Sequence, residues 1–198
     1  MSSKEKLVIF TGGTAGLGLN ALEQLVSNHQ NELPSQFAYR VVIGARAASD
    51  GTLQAHLDKI RRSSPSSIDV KVDLFPLELT SPDSIERFAQ HVLSHIAPAY
   101  KKIDIMVLNA GIFLRNPQQA VQLSDGREFE STLFVNALSQ SLLLKRLLPA
   151  MADDGRIVMV SSRLHLRAVK GMSLNFSSSS TRYLLIICRT ARDTLHDR

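Results

Sequence analysis

The sequence predicts an α/β fold, a doubly wound parallel sheet covered by helices on both faces, and three observations predict it. Apolar, β-rich runs alternate with helix-spaced patterns from the start of the chain. Two of the runs, Ile105-Met106-Val107-Leu108 and Ile157-Val158-Met159-Val160, are apolar throughout, as strands covered on both faces must be. The first strand leads directly into Thr11-Gly12-Gly13-Thr14-Ala15-Gly16-Leu17-Gly18, a glycine-rich turn that opens a helix in the Rossmann-type manner.

Taken in order, Leu7-Val8-Ile9-Phe10 reads as the first strand. A helix is expected from about Gly16 to Ser27, with Leu19, Leu22, Leu25 and Val26 on its buried side, broken by Asn31 to Ser35. Val41-Val42-Ile43 is the second strand, followed by a helix around Thr52 to Arg61 with Leu53, Leu57 and Ile60 at helical spacing. A third strand lies within Val70 to Leu79, its position blurred by Pro76, which has no N–H to give a ladder. Ser81 is an N-cap with Pro82 at the first helical position, opening a helix through about Ser94. After the fourth strand, Ile105 to Leu108, a long helical stretch ends near Met151, and Asp153-Asp154-Gly155 turns into the fifth strand, Ile157 to Val160. Beyond Ser162 the periodicity fails: Ser177 to Ser180 is low in complexity. Tyr183 to Cys188 is an apolar run that can be a strand, with no further crossover unit after it. The expectation is one domain over residues 1–165 whose sheet is incomplete in its C-terminal part, and a divergent tail, 166–198, that is not an independent domain.

A chain of 198 residues with 44% hydrophobic content can bury a core of its own. Cys188 is the only cysteine, so no intrachain disulfide forms and a reducing compartment fits. The apolar run Leu7 to Phe10 is too short for a signal-peptide core or a membrane span, so a soluble, cytoplasmic protein with no integral membrane segment is expected. The formal net charge of +5 resides in residues 163–198. Arg163, Arg167, Lys170, Arg182, Arg189, Arg192 and Arg198 stand there against Asp193 and Asp197, while the remaining basic and acidic residues balance. A neutral body has no electrostatic footprint for a phosphate backbone, and no nucleic-acid partner is expected. His91 and His95 lie four apart on a helix without a third ligand type nearby, and His165 lacks a nucleophile elbow, so neither a metal site nor a hydrolase triad is read.

The glycine-rich turn carries the chemistry. A strand, a turn and a helix N-terminus together present backbone N–H groups and the positive helix end to a pyrophosphate. Gly12 permits the tight turn, Gly16 lets the backbone approach phosphate, and Gly18 allows close packing of helix on strand. In such folds the end of the second strand meets the adenine ribose, where a carboxylate binds the 2′-OH and a basic residue accommodates a 2′-phosphate. Here it reads Gly44-Ala45-Arg46, with no carboxylate before Asp50. Arg46 is either the 2′-phosphate ligand, which favours NADP over NAD, or a solvated loop arginine.

These residues resemble the short-chain dehydrogenase/reductase family, whose glycine motif has the spacing of Thr11, Gly12, Gly16 and Gly18. Asn109-Ala110-Gly111 is similar to the family's NAG segment, Asn136 to its helix asparagine, and Val160-Ser161-Ser162 to its strand-end serines, all in family order. Glu78-Leu79 stands where the family usually has Asp-Leu near the adenine ring. Ser124-Asp125-Gly126-Arg127-Glu128 is similar to members acting on bulky apolar carbonyls such as retinoids and sterols.

The resemblance implies NADP(H)-dependent hydride transfer between a nicotinamide and a small-molecule carbonyl or alcohol. Thr11, Gly12, Thr14, Gly16, Leu17, Gly18, Arg46, Glu78, Leu79, Asn109, Ala110 and Gly111 would hold the cofactor. Ser162, or the neighbouring Ser161, would hold the carbonyl oxygen, and Asn136 would order a proton-relay water. The family's proton donor is a tyrosine with a lysine four residues later, whose ammonium lowers the phenol's pKa. After Ser162 the only tyrosine is Tyr183, with Ile187 four beyond it, and the only lysine is Lys170. The expectations left open are an active oxidoreductase, a nucleotide-binding module without turnover, and a truncated, alternatively spliced or misread product. A homo-oligomer finds no support, because the family's dimer helix is the one that carries the missing pair.

Overall fold

The computed structural model describes residues 4–27, 37–46, 50–63, 69–96, 100, 102–114, 120–161 and 183–187. Its strands are β1 (Lys4–Thr11), β2 (Phe37–Ala45), β3 (Val70–Pro76), β4 (Ile103–Leu108), β5 (Ala120–Gln122), β6 (Glu128–Glu130), β7 (Met151–Ser161) and β8 (Tyr183–Ile187). Six of them pair in parallel in the order β3-β2-β1-β4-β7-β8, so the chain reverses direction of travel across the sheet on either side of β1. That order makes the C-terminal ends of β1 and β4 the switch point at which open α/β sheets bind ligands.

Side-chain alternation along β1 explains the double winding. Leu7 and Ile9 are fully buried in one core cluster with Ile85, Phe88, Leu143 and Leu147. Val8 and Phe10 point the other way, into a second cluster with Leu22, Val26, Leu53 and Leu57. A side chain of this size is worth roughly 1.5–3 kcal/mol when fully buried, so the central strand is stabilised from both faces.

The helices are α1 (Gly16–Ser27), α2 (Asp50–Ser63), α3 (Pro82–His91) and α4, residues 131–147. Helix α3 buries Ile85, Phe88 and Ala89, and Val92 continues that stripe at helical spacing. It begins as the sequence predicts: Ser81 Oγ accepts from Ser84 N–H at 3.2 Å, with Pro82 at the first position. Its last turn is a π turn, Val92–Ile96. Helix α4 is also interrupted. Its α-helical ends, Ser131–Leu133 and Ser139–Leu147, flank a π turn over Phe134–Leu138.

Three readings change. Asp153-Asp154-Gly155 is not a turn before β7 but an irregularity inside it, between the pairs Ile103–Met151 and Ile105–Arg156. Ser124-Asp125-Gly126-Arg127 is the turn of the antiparallel β5–β6 hairpin, with Gly126 at φ 83° and Asp125 paired to Arg127. The apolar run at Tyr183 does form a strand, and it extends the sheet by one beyond the five read from the sequence. Among the described residues no helix is long and apolar enough to cross a membrane.

Candidate functional site

A cleft of about 620 Å3 opens at the switch point. Of the residues expected to hold a dinucleotide, Gly12, Thr14, Leu17, Arg46, Glu78, Leu79, Asn109, Ala110 and Gly111 line it. Thr11, Gly16 and Gly18 act from behind this surface or at its rim, each for a different steric reason.

Thr11 is fully buried at the end of β1. Its Oγ1 accepts the N–H groups of Asn109 and Ala110, both at 3.1 Å, which ties the first strand to the segment after β4. Asn109 returns the tie: its Nδ2 donates to the carbonyls of Gly12, at 2.9 Å, and Thr11, at 3.3 Å. Asn109 thus serves as the internal brace of the glycine turn, a role that fixes the turn's shape.

The glycines divide between packing and access. At Gly18 a Cβ would lie 2.0 Å from the Gly12 carbonyl oxygen, and at Gly12 it would lie 2.8 Å from Ala110 Cα. Those two positions are closed by the protein itself. Gly16, at φ 55°, is different: a Cβ there would meet nothing within 4 Å. It faces open volume at the first residue of α1, where the N–H groups of the first turn have no intrahelical acceptor. The turn therefore leaves its own backbone donors uncovered where an anion would sit, and a cleft of this size suits a ligand of dinucleotide bulk.

At the other end of the cleft-lining set, Arg46 is exposed just beyond β2. Gly44 lets Leu77 cross the strand end, since a Cβ at Gly44 would lie 2.3 Å from Leu77 Cδ2. Leu77 N–H donates to the Ala45 carbonyl at 2.8 Å, which carries the Leu77-Glu78-Leu79 segment along the cleft. Oε1 of Glu78 takes both the N–H and the hydroxyl of Thr80, at 2.9 and 2.8 Å, so this carboxylate closes its own turn.

Asn136 sits in the π turn of α4 and does not line the cleft. Its amide grips one residue: Oδ1 accepts from Ile112 N–H and Nδ2 donates to the Ile112 carbonyl, both at 2.8 Å. Gly111 permits this approach, because a Cβ there would lie 3.2 Å from Asn136 Oδ1. Helix α4 is itself fixed by Glu130, whose carboxylate accepts from Thr132 and Leu133 N–H, both at 2.7 Å. Hydrogen bonds from Thr132, then from Leu133, hold the Glu130 carboxyl below the usual carboxylate range. The serine pair is split: Ser161 ends β7 next to the cleft-lining Val160, whereas Ser162 lies outside the described residues. Tyr183 is paired with Ile157 and Ile187 with Ser161, so the tyrosine's backbone lies four residues back from the sheet edge that carries the cleft, roughly 13 Å at strand spacing.

The lining residues that sequence reasoning missed include Ala15, Leu77, Ile112, Ser131 and Val135. They follow from the landmarks it did find, being their immediate neighbours or, for Ser131 and Val135, earlier residues of the helix that carries Asn136.

A profile of the short chain dehydrogenase family matches residues 6–179. The chain belongs to that family. Short-chain dehydrogenases are oxidoreductases that bind a nicotinamide cofactor, which agrees with the cleft at the switch point. A short-chain dehydrogenase/reductase of Pestalotiopsis microspora is 33% identical over 166 residues, covering 83% of this chain and 51% of its own. The carbonyl reductase [NADPH] 1 of Mus musculus is 28% identical over 178 residues, covering 88% and 55%. This short-chain dehydrogenase therefore spans about half the length of the curated relatives it matches. Among solved structures, a blue fluorescent protein from a metagenomic library, in complex with NADPH, shares the fold with a TM-score of 0.55 at 21% identity, over 86% of this chain and 61% of that one.

Proposed function

We propose that this chain holds NADP(H) in the cleft between β1 and β4 and acts, in the cytoplasm, as a carbonyl/alcohol oxidoreductase of a small-molecule, bulky apolar substrate. The observation that carries the reading is Gly16: a backbone in the left-handed region, with open space where a side chain would stand, at the first residue of α1. Such an arrangement at a helix N-terminus lets a ligand approach the backbone, and pyrophosphate is a group that a helix N-terminus receives. Arg46 supports NADP(H) over NAD(H), since a guanidinium at the end of β2 suits a 2′-phosphate and no carboxylate stands there for a 2′-OH. The named cofactor of the mouse carbonyl reductase supports the same choice.

When bound, the nicotinamide supplies the hydride; the protein's part is position and a proton. Ser162, or Ser161 beside it, would hold the carbonyl oxygen by a hydrogen bond at the end of β7. Asn136 would keep the segment after β4 in place for the substrate and its proton-relay water, by its grip on Ile112.

A second reading, dinucleotide binding without turnover, is favoured by one observation: no tyrosine after Ser162 has a lysine four residues on. One experiment tests both. Purified protein is mixed with NADPH and a panel of ketones and aldehydes. Loss of NADPH absorbance supports the oxidoreductase. Enhanced NADPH fluorescence without turnover supports the binding module, and no binding sinks both. In parallel, Arg46→Ala should erase the preference for NADPH over NADH, and an unchanged preference would remove the assignment of the 2′-phosphate to Arg46.

A further inference from the structure

Four residues after Asn136 on α4, Gln140 is almost wholly buried, 2% exposed. A buried amide needs partners, and those of Gln140 among the described residues are Ala110, which lines the cleft, and Thr11, which braces it from behind. Its Nε2 donates to the Ala110 carbonyl at 2.8 Å, and the Thr11 hydroxyl donates to its Oε1 over a longer 3.4 Å. Thr11 Oγ1 already accepts the N–H groups of Asn109 and Ala110. Its hydrogen is thereby directed away from them, toward Gln140. Ala110 is thus held at both of its backbone polar groups, its N–H by Thr11 and its C=O by Gln140. Thr11 ends β1 and Ala110 belongs to the segment after β4, and the two meet at the cleft.

We infer that Gln140 is a positioning residue for the dinucleotide: from the buried face of α4 it locks the Ala110 peptide and the Thr11 hydroxyl in the arrangement that lets the glycine turn receive the ligand. The inference rests on the reading of the cleft as a dinucleotide site. It assigns to α4 a second function beside the grip of Asn136 on Ile112. One helix, through two amides one turn apart, holds residues 110 and 112 of the same cleft wall.

The test measures NADP+ affinity by titration calorimetry on the intact chain. Gln140→Leu fills the volume but leaves the Ala110 carbonyl buried without its donor, and should weaken NADP+ by about tenfold or more. Gln140→Glu supplies the readout that mere packing would not move. Ionised, at about pH 8.5, a carboxylate faces the Ala110 carbonyl with no proton to give; at about pH 5 a buried carboxyl, its pKa raised by desolvation, is protonated and donates again. The affinity ratio of this variant to unmodified protein, taken at each pH, should be about tenfold at the alkaline end and recover to within about threefold at the acid end. Ser139→Ala, which removes an equally buried hydroxyl bonded, among the described residues, within α4 to the Val135 carbonyl, should leave the affinity unchanged. Unmodified affinity in Gln140→Leu overturns the inference. So does a loss in Gln140→Glu that is the same at both pH values, or an equal loss in Ser139→Ala. Failure of the unmodified protein to bind NADP+ is a separate result that overturns the cofactor reading and the inference with it.

Discussion

Asn136 and Ile112 are joined twice, N–H to Oδ1 and Nδ2–H to carbonyl, each at 2.8 Å, across 24 residues of sequence. The bond pair runs from the π turn of α4 to the segment after β4, and it occupies a residue whose side chain could otherwise serve solvent. Replacing Asn136 by Ala removes both bonds and should cost about 1–2 kcal/mol in urea denaturation. Asn136→Asp keeps the acceptor and sets a carboxylate against the Ile112 carbonyl, so at neutral pH it should destabilise more than Ala. Equal stability of all three proteins would show that the contact does not persist in solution.

Two glycines of the turn, Gly16 and Gly18, predict different phenotypes that separate binding from folding. Gly18→Ala drives a Cβ to 2.0 Å from the Gly12 oxygen and should destabilise by about 3 kcal/mol. Gly16→Ala places its Cβ in open space and meets only the backbone cost of φ 55°, about 1 kcal/mol, yet should weaken NADPH at least about tenfold by covering the anion-facing backbone. Thermal melting and NADPH fluorescence titration on both variants check this. A Gly16→Ala protein that binds normally would remove the main support for the cofactor site.

His91 should make the fold sensitive to mild acid. Its Nε2 is buried with no hydrogen-bond partner among the described residues, and its ring lies 4.0 Å, centroid to centroid, from Phe75. Burial, and then the neighbouring His95, lower its pKa below the ordinary 6.5. The unfolded chain therefore binds the proton first. Stability from this group is full above 6.5 and is lost as pH falls from there toward the lowered folded value. In melts at successive pH values, His91→Phe should flatten the decline on the acid side of 6.5 and raise the melting temperature there.

Glu130 acts in a lower window. Because its carboxyl is held below the usual range, its contribution to α4 is complete above the ordinary glutamate value and disappears as pH falls through the lowered one. Glu130→Ala should melt below the unmodified protein at neutral pH, and the difference should close under acid conditions where the carboxylate is protonated. A gap that persists in acid would mean that the residue acts through packing alone.

The strand at Leu7 to Phe10, the spacing of Leu22 and Val26 on α1, and the Ser81-Pro82 cap were legible in the sequence because each is a local consequence of one physical rule: an apolar β-rich run, the helical period, or an orphan N–H. The glycine turn was legible for the same reason. The hairpin around Asp125-Gly126 was passed over as structure, although Asp-Gly between two short alternating runs is a turn signal, because three-residue strands leave almost no periodicity to read. The irregularity at Asp153 to Gly155 read as a turn since a bulge and a turn use the same residues; only the partner strand tells them apart. Gln140 could not be found from sequence at all. A glutamine in the run Ser139-Gln140-Ser141 looks solvated, and its burial follows from the π turn that precedes it and from a partner 129 residues away.

The tie between Thr11 and Asn109 spans 98 residues, and it orders the events of the protein's making. The glycine turn leaves the ribosome before the residue that braces it and the helix that clamps Ala110, which follow about a hundred residues later. Until they arrive, the turn lacks the hydrogen bonds that brace it. Closing such a distance is slow relative to local helix formation, so the cleft is one of the last parts of the sheet to be assembled. In refolding experiments the capacity to capture a dinucleotide should therefore lag behind the return of helical signal.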